Sequence, residues 1–123
     1  MNKKRKGIIE EIVIFPYVGA LHAGTLLKER CLIMGKTIAA IATGMGDSGI
    51  GIIRISGDTA LQIVDQIFQP VNKKKTILNM DSYTAAYGKI IYEGELYDEA
   101  VALVMRAPKT YTTEDVVELD CHG

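Results

Sequence analysis

The seven residues Ile50-Gly51-Ile52-Ile53-Arg54-Ile55-Ser56 constrain the fold more than any other stretch of this chain. β-Branched residues dominate the run, so it reads as a strand. Alternation places Ile50, Ile52 and Arg54 on one face and Gly51, Ile53 and Ile55 on the other, and both faces are therefore apolar. Such a strand is expected to be buried within a sheet, and a buried arginine needs an anionic or acceptor partner.

The same strand decides how the glycines before it are read. Gly44-Met45-Gly46-Asp47-Ser48-Gly49 fits the dinucleotide fingerprint G-x-G-x-x-G, follows the strand-like Thr37 to Thr43, and has Asp65 where a ribose-binding acid would stand. That fingerprint requires a helix opening on the last glycine, because the helix N-terminus holds the pyrophosphate. A strand follows instead. The glycines are read as a loop joining two strands.

Further along, Gly57-Asp58 opens a helix in which Ala60, Leu61, Val64, Ile67 and Phe68 fall on a single face, and Pro70 ends it. Asn72-Lys73-Lys74-Lys75 reads as a solvated linker. Ser82 to Tyr92 and Tyr97 to Arg106 form a hairpin through Glu93-Gly94-Glu95, and a polar stretch, Lys109 to Asp115, leads into a last strand, Val116 to His122. The order β-β-α-β-β-β predicts an α+β domain, a mixed sheet with a flanking helix.

At 123 residues, 48% hydrophobic and 24% charged, the chain has the length and composition of one globular domain. Residues 1–33 carry six basic and three acidic side chains, a net +3, and residues 34–123 carry eight and twelve, a net −4. The second part has no electrostatic footprint for nucleic acid. Lys28-Glu29-Arg30 is the tripeptide a purine-rich ribosome-binding sequence would encode, so residues 1–33 are read as an atypical extension or untranslated leader, with translation starting at Met34. The basic Lys3-Lys4-Arg5-Lys6 imitates a secretory signal, but Glu10 and Glu11 interrupt it and no clean small-residue cleavage site follows. No apolar run approaches the ~18 residues of a membrane span.

Cys31 and Cys121 match no metal or disulfide spacing, which points to free thiols in a reducing compartment. Cys121 and His122 adjoin in a strand and face opposite ways, against a nucleophile–base pair. No P-loop, H-E-x-x-H, G-x-S-x-G or paired C-x-x-C is present, so neither a catalytic nor a metal-binding set is expected. In the last strand, Glu118, Asp120 and His122 share a face with Val116, opposite Val117, Leu119 and Cys121, and pattern alone reads this as a strand with a wet side. His122 by itself reads as a surface or capping histidine.

The stretches TIAAIAT, SGIGIIRISGDTAL and YGKIIYEGELYDEAVALVMRAPKTYTTEDVVELDCHG, in this order, closely resemble the N-terminal domain of the MnmE (TrmE) family of tRNA modification GTPases, over Thr37 to Gly123. The resemblance implies a domain, 34–123, that binds 5-formyltetrahydrofolate or a related tetrahydrofolate and forms a homodimer, with a fold like the folate-binding domain of glycine-cleavage aminomethyltransferase. It further implies a cytoplasmic protein that uses GTP, Mg2+ and K+ in a separate GTPase domain and acts with the FAD-dependent MnmG on the wobble uridine of tRNA. The family's folate-contacting arginine falls on Arg54 and its glutamate on Glu118. A carboxylate such as Glu118 can accept paired hydrogen bonds from a pterin amino group and ring N–H, while Arg54 offers a forked donor.

Two loop positions depart from the family pattern: residues 44–49 replace P-P-G-x-G-G, and Thr113 replaces a frequent glycine. The family also continues past Gly123 into a glycine, a helix and a further ligand-contacting lysine, so the chain is expected to be a fragment with an incomplete C-terminus. An inert dimerisation fragment and an aminomethyltransferase-like folate enzyme are the competing readings.

Overall fold

The computed structural model describes residues 27–28, 31–34, 37–43 and 49–122. Of the expected leader, residues 1–33, positions 1–26 and 29–30 lie outside the described residues, as does the glycine loop at 44–48. The strands are β1 (Leu27–Lys28), β2 (Cys31–Met34), β3 (Thr37–Ile41), β4 (Ile50–Ser56), β5 (Phe68–Pro70), β6 (Thr84–Tyr92), β7 (Glu95–Met105) and β8 (Val116–His122). A single helix among the described residues, α1 (Ala60–Ile67), follows β4, and a short 3-10 turn (Ile77–Asn79) precedes β6.

The strands form one sheet in the order β1-β2-β3-β4-β8-β7-β6-β5. Each neighbouring pair is antiparallel, which corrects the expected mixed sheet. The physical reason is the path of α1: it carries the chain from β4 across the sheet to the far edge at β5, and β6, β7 and β8 then return by reversals until β8 pairs with β4. β4 and β5 run in the same direction but are never neighbours.

One face of the sheet is sealed by α1. Ala60, Leu61, Ile63, Val64 and Ile67 are all buried, and they meet a floor made by Ile53 and Ile55 of β4, Val117 and Leu119 of β8, and Ala102 and Val104 of β7, each completely inaccessible. Full burial of each large aliphatic side chain is worth roughly 1.5–3 kcal/mol, so this layer is the main stabilising contact. The expected apolar face of the helix is present, but Phe68 has left it. The helix ends at Ile67, and Phe68–Pro70 is an edge strand against β6. Pro70, which lacks a donor, is tolerated there because an edge strand needs only one row of hydrogen bonds.

Gly88 makes this edge possible, since a Cβ at that position would stand 2.4 Å from the Gln69 carbonyl oxygen. At the hairpin, Tyr92 pairs with Glu95, and Glu93 (φ 50) and Gly94 (φ 77) form a two-residue turn with both centres left-handed. β7 therefore starts at Glu95, two residues before the expected Tyr97, because the tighter turn extends the ladder.

The opposite face of the sheet is only partly covered. Ile50 is 58% exposed, while Ile52 and Arg54 are half-buried. This corrects the reading of β4 as a strand buried on both sides. Val116, Glu118 and Met105 are nevertheless buried on this second face, where residues 107–115 fold back toward the end of β4.

Candidate functional site

Arg54 and Glu118 are directly opposed in the β4–β8 ladder. Their separation in sequence is 64 residues, yet register alone brings the two side chains together. The guanidinium donates through Nε at 2.8 Å and through Nη2 at 2.5 Å, both to Oε1 of Glu118. The expected acceptor partner of Arg54 is thus a carboxylate. The pairing is bifurcated onto one oxygen, so among the described residues Oε2 of Glu118 and Nη1 of Arg54 have no hydrogen-bond partner.

The two partners differ in exposure: the side chain of Glu118 is 12% accessible and that of Arg54 36%. The wet side expected for β8 is therefore absent at Glu118. Strand pattern could not show this, because the cover comes from a loop. The Tyr111 ring lies over Arg54, with 4.9 Å from the guanidinium carbon to the ring centroid, a cation–π distance. Ser56, one turn of the pleat beyond Arg54, anchors that loop by a 2.7 Å hydroxyl contact to Thr112 and by donating to Oε2 of Glu114 at 3.2 Å.

Asp120 continues the same face of β8 toward the open end of the sheet, opposite Ile52. Its Oδ1 is buried without a hydrogen bond. Desolvation, and secondarily the charge of Glu118, raise its carboxyl above the usual aspartate range. Asp120 borders an open groove of about 290 Å3, which it shares with Ile50, Tyr87, Glu99, Val101 and His122.

Asp98 is the polar residue that sequence reasoning missed. Buried at 6% exposure, it accepts from the His122 backbone N–H at 3.1 Å and sits 2.7 Å from the His122 ring Nδ1. His122 is thus tied down at the end of β8, with its ring still largely accessible. The signal was available: alternation puts Asp98 in the same row as Ala100, Ala102 and Val104, the buried face of β7. Cys121, on the other face, is buried with its thiol directed at the Leu119 carbonyl, 3.6 Å away, consistent with a packed thiol rather than a reactive one. No group of three or more potential metal ligands occurs among the described residues.

Residues 37–123 match the family model described as GTP-binding protein TrmE N-terminus. The chain belongs to this family. Among curated relatives, the tRNA modification GTPase MnmE of Lachnoclostridium phytofermentans is 54% identical over 87 residues, covering 71% of this chain and 19% of the relative. The same-named protein of Symbiobacterium thermophilum is 54% identical over 89 residues, covering 72% and 19%. That of Streptococcus mutans is 49% identical over 87 residues, covering 71% and 18%. The chain thus spans about a fifth of the length of the curated relatives it matches.

One departure from the family pattern now has a structural counterpart. Thr113 has φ 64, the left-handed region that favours glycine. The position demands the glycine this chain lacks. No helix among the described residues is long and apolar enough to cross a membrane.

Proposed function

We propose that this chain is the tetrahydrofolate-binding, homodimerising module of a larger cytoplasmic GTPase that modifies carbon 5 of the wobble uridine in tRNA. Family membership and the names of its relatives support the larger role. GTP, Mg2+ and K+ would be handled by a GTPase domain outside this chain, and the FAD-dependent MnmG and tRNA would engage the whole assembly. The fold would then be of the aminomethyltransferase folate-binding kind.

The observation that carries the folate reading is the Arg54–Glu118 pair on the partly covered face of the sheet. A carboxylate with one oxygen uncommitted among the described residues, beside a guanidinium with one nitrogen likewise uncommitted, is a donor–acceptor set suited to a pterin or to a ligand carboxylate. Because Arg54 already occupies Oε1, paired acceptance by both Glu118 oxygens requires Arg54 to yield one of its two hydrogen bonds when a folate binds.

Calorimetric titration of 5-formyltetrahydrofolate into the 123-residue chain tests the proposal. Saturable binding that Glu118→Gln weakens about tenfold or more is expected, the equivalent of one lost charge-assisted hydrogen bond. No heat from a folded, dimeric sample would leave an inert dimerisation piece and sink the folate reading.

A further inference from the structure

We infer that Tyr111 is a ligand-stacking residue of this site, offering its outward ring face to a flat heteroaromatic ring; this rests on the folate reading above. Tyr111 is 76% exposed, the highest exposure of any large apolar or aromatic residue among the described residues. Its inner face meets the Arg54 guanidinium at 4.9 Å. A tyrosine whose task was to bury Arg54 would leave that cation hidden, yet the arginine side chain remains 36% accessible. Its hydroxyl makes no hydrogen bond among the described residues.

The backbone around this exposed ring is held unusually well. On one side Thr110 donates its hydroxyl to the Glu114 carbonyl at 2.6 Å, and on the other Thr112 meets Ser56 at 2.7 Å. Asp115 closes the base of the loop by accepting from the Ala107 N–H at 2.8 Å, while its carbonyl accepts from Gly57 at 2.9 Å. Two of these four ties reach β4 and its end, the strand that supplies Arg54. An aromatic side chain with only two rotatable bonds, on a loop ordered in advance, loses little conformational freedom when a ring stacks on it. Cation–π contact on the inner face fixes the ring plane and leaves the outward face open to a ligand that reaches past the ring edge toward the Arg54–Glu118 pair. The ligand class selected is a planar ring with polar edges, such as the pyrimidine portion of a tetrahydropterin.

The test compares 5-formyltetrahydrofolate binding by the full chain with that of Tyr111→Phe and Tyr111→Leu, alongside urea unfolding of each. Phe keeps the stacking face and is expected to bind within about twofold of wild type. Leu removes the face and is expected to bind at least about fivefold more weakly, the lower end of what ring stacking on an aromatic side chain supplies. Both unfolding midpoints should stay at the wild-type value, because the ring is exposed. Equal binding by the wild type and Tyr111→Leu overturns the assignment of Tyr111 alone. Weaker binding by Leu with a matching fall in its unfolding midpoint also overturns it, since the residue would then be structural. Failure of the wild type to bind overturns the folate reading and this inference together.

Discussion

Removing either end of the Arg54–Glu118 pair should have unequal effects, and the inequality can be worked from exposure. Arg54→Ala strands a carboxylate whose side chain is only 12% accessible. Breaking a fully buried pair costs about 3–5 kcal/mol, and because the arginine itself is more than a third exposed the figure is discounted to about 2–3 kcal/mol. Glu118→Gln leaves a cation that reaches water and an amide oxygen that still accepts from it, so its cost is about 1 kcal/mol. The double variant Arg54→Met with Glu118→Leu replaces the pair by apolar contact and should fall within about 1 kcal/mol of wild type. Urea unfolding followed by far-ultraviolet circular dichroism, at one protein concentration, reads these as midpoint shifts. With a slope of about 1–1.5 kcal/mol per molar, Arg54→Ala should lower the midpoint by about 1.3–3 M. If Glu118→Gln proves as damaging as Arg54→Ala, or the double variant no better than it, the desolvation argument is refuted.

Three further outcomes follow from local geometry. Gly88→Ala drives a methyl to 2.4 Å from the Gln69 carbonyl, so a loss of about 2–3 kcal/mol with deprotection of the β5 amides in hydrogen exchange is expected; an unchanged exchange pattern would count against it. Thr113→Gly relieves a β-branched residue at φ 64 and should raise stability by up to about 1 kcal/mol, checked by the thermal midpoint. Asp120 has a carboxyl raised in the folded state, so its ionisation disfavours folding: its stabilising contribution is complete below the ordinary aspartate pKa and is lost as pH rises through the raised value. Asp120→Asn should therefore gain on wild type as pH climbs through and above the ordinary aspartate range toward 7, and a difference independent of pH would contradict the burial argument.

Local periodicity made β3, β4, α1, β6, β7 and β8 legible, because each buries one set of alternate or helically spaced residues. Sheet order was not legible. The adjacency of β4 and β8 depends on α1 crossing to the far edge, and a period of two says nothing about which strand lies alongside. Arg54 and Glu118 stood out because charge in an apolar strand is costly, but their contact was set by register. Tyr111 and Ser56 escaped notice since loop residues are placed by hydrogen bonds between distant segments, Ser56 to Thr112 among them. Asp98 was legible in part: alternation with Ala100, Ala102 and Val104 marks it as an inward-facing acid, but its partner, the backbone and ring of His122, was set by the fold.

The place of β8 in the sheet also bears on how the chain is made. Of the described strands, the one synthesised last is an interior one, inserted between β4 and β7. Until Val116–His122 has emerged, the growing polypeptide holds two separate half-sheets, each with an unpaired hydrophobic edge. Productive folding must therefore await synthesis of nearly all of residues 37–122, and the nascent chain is most open to chaperones and to self-association just before that point.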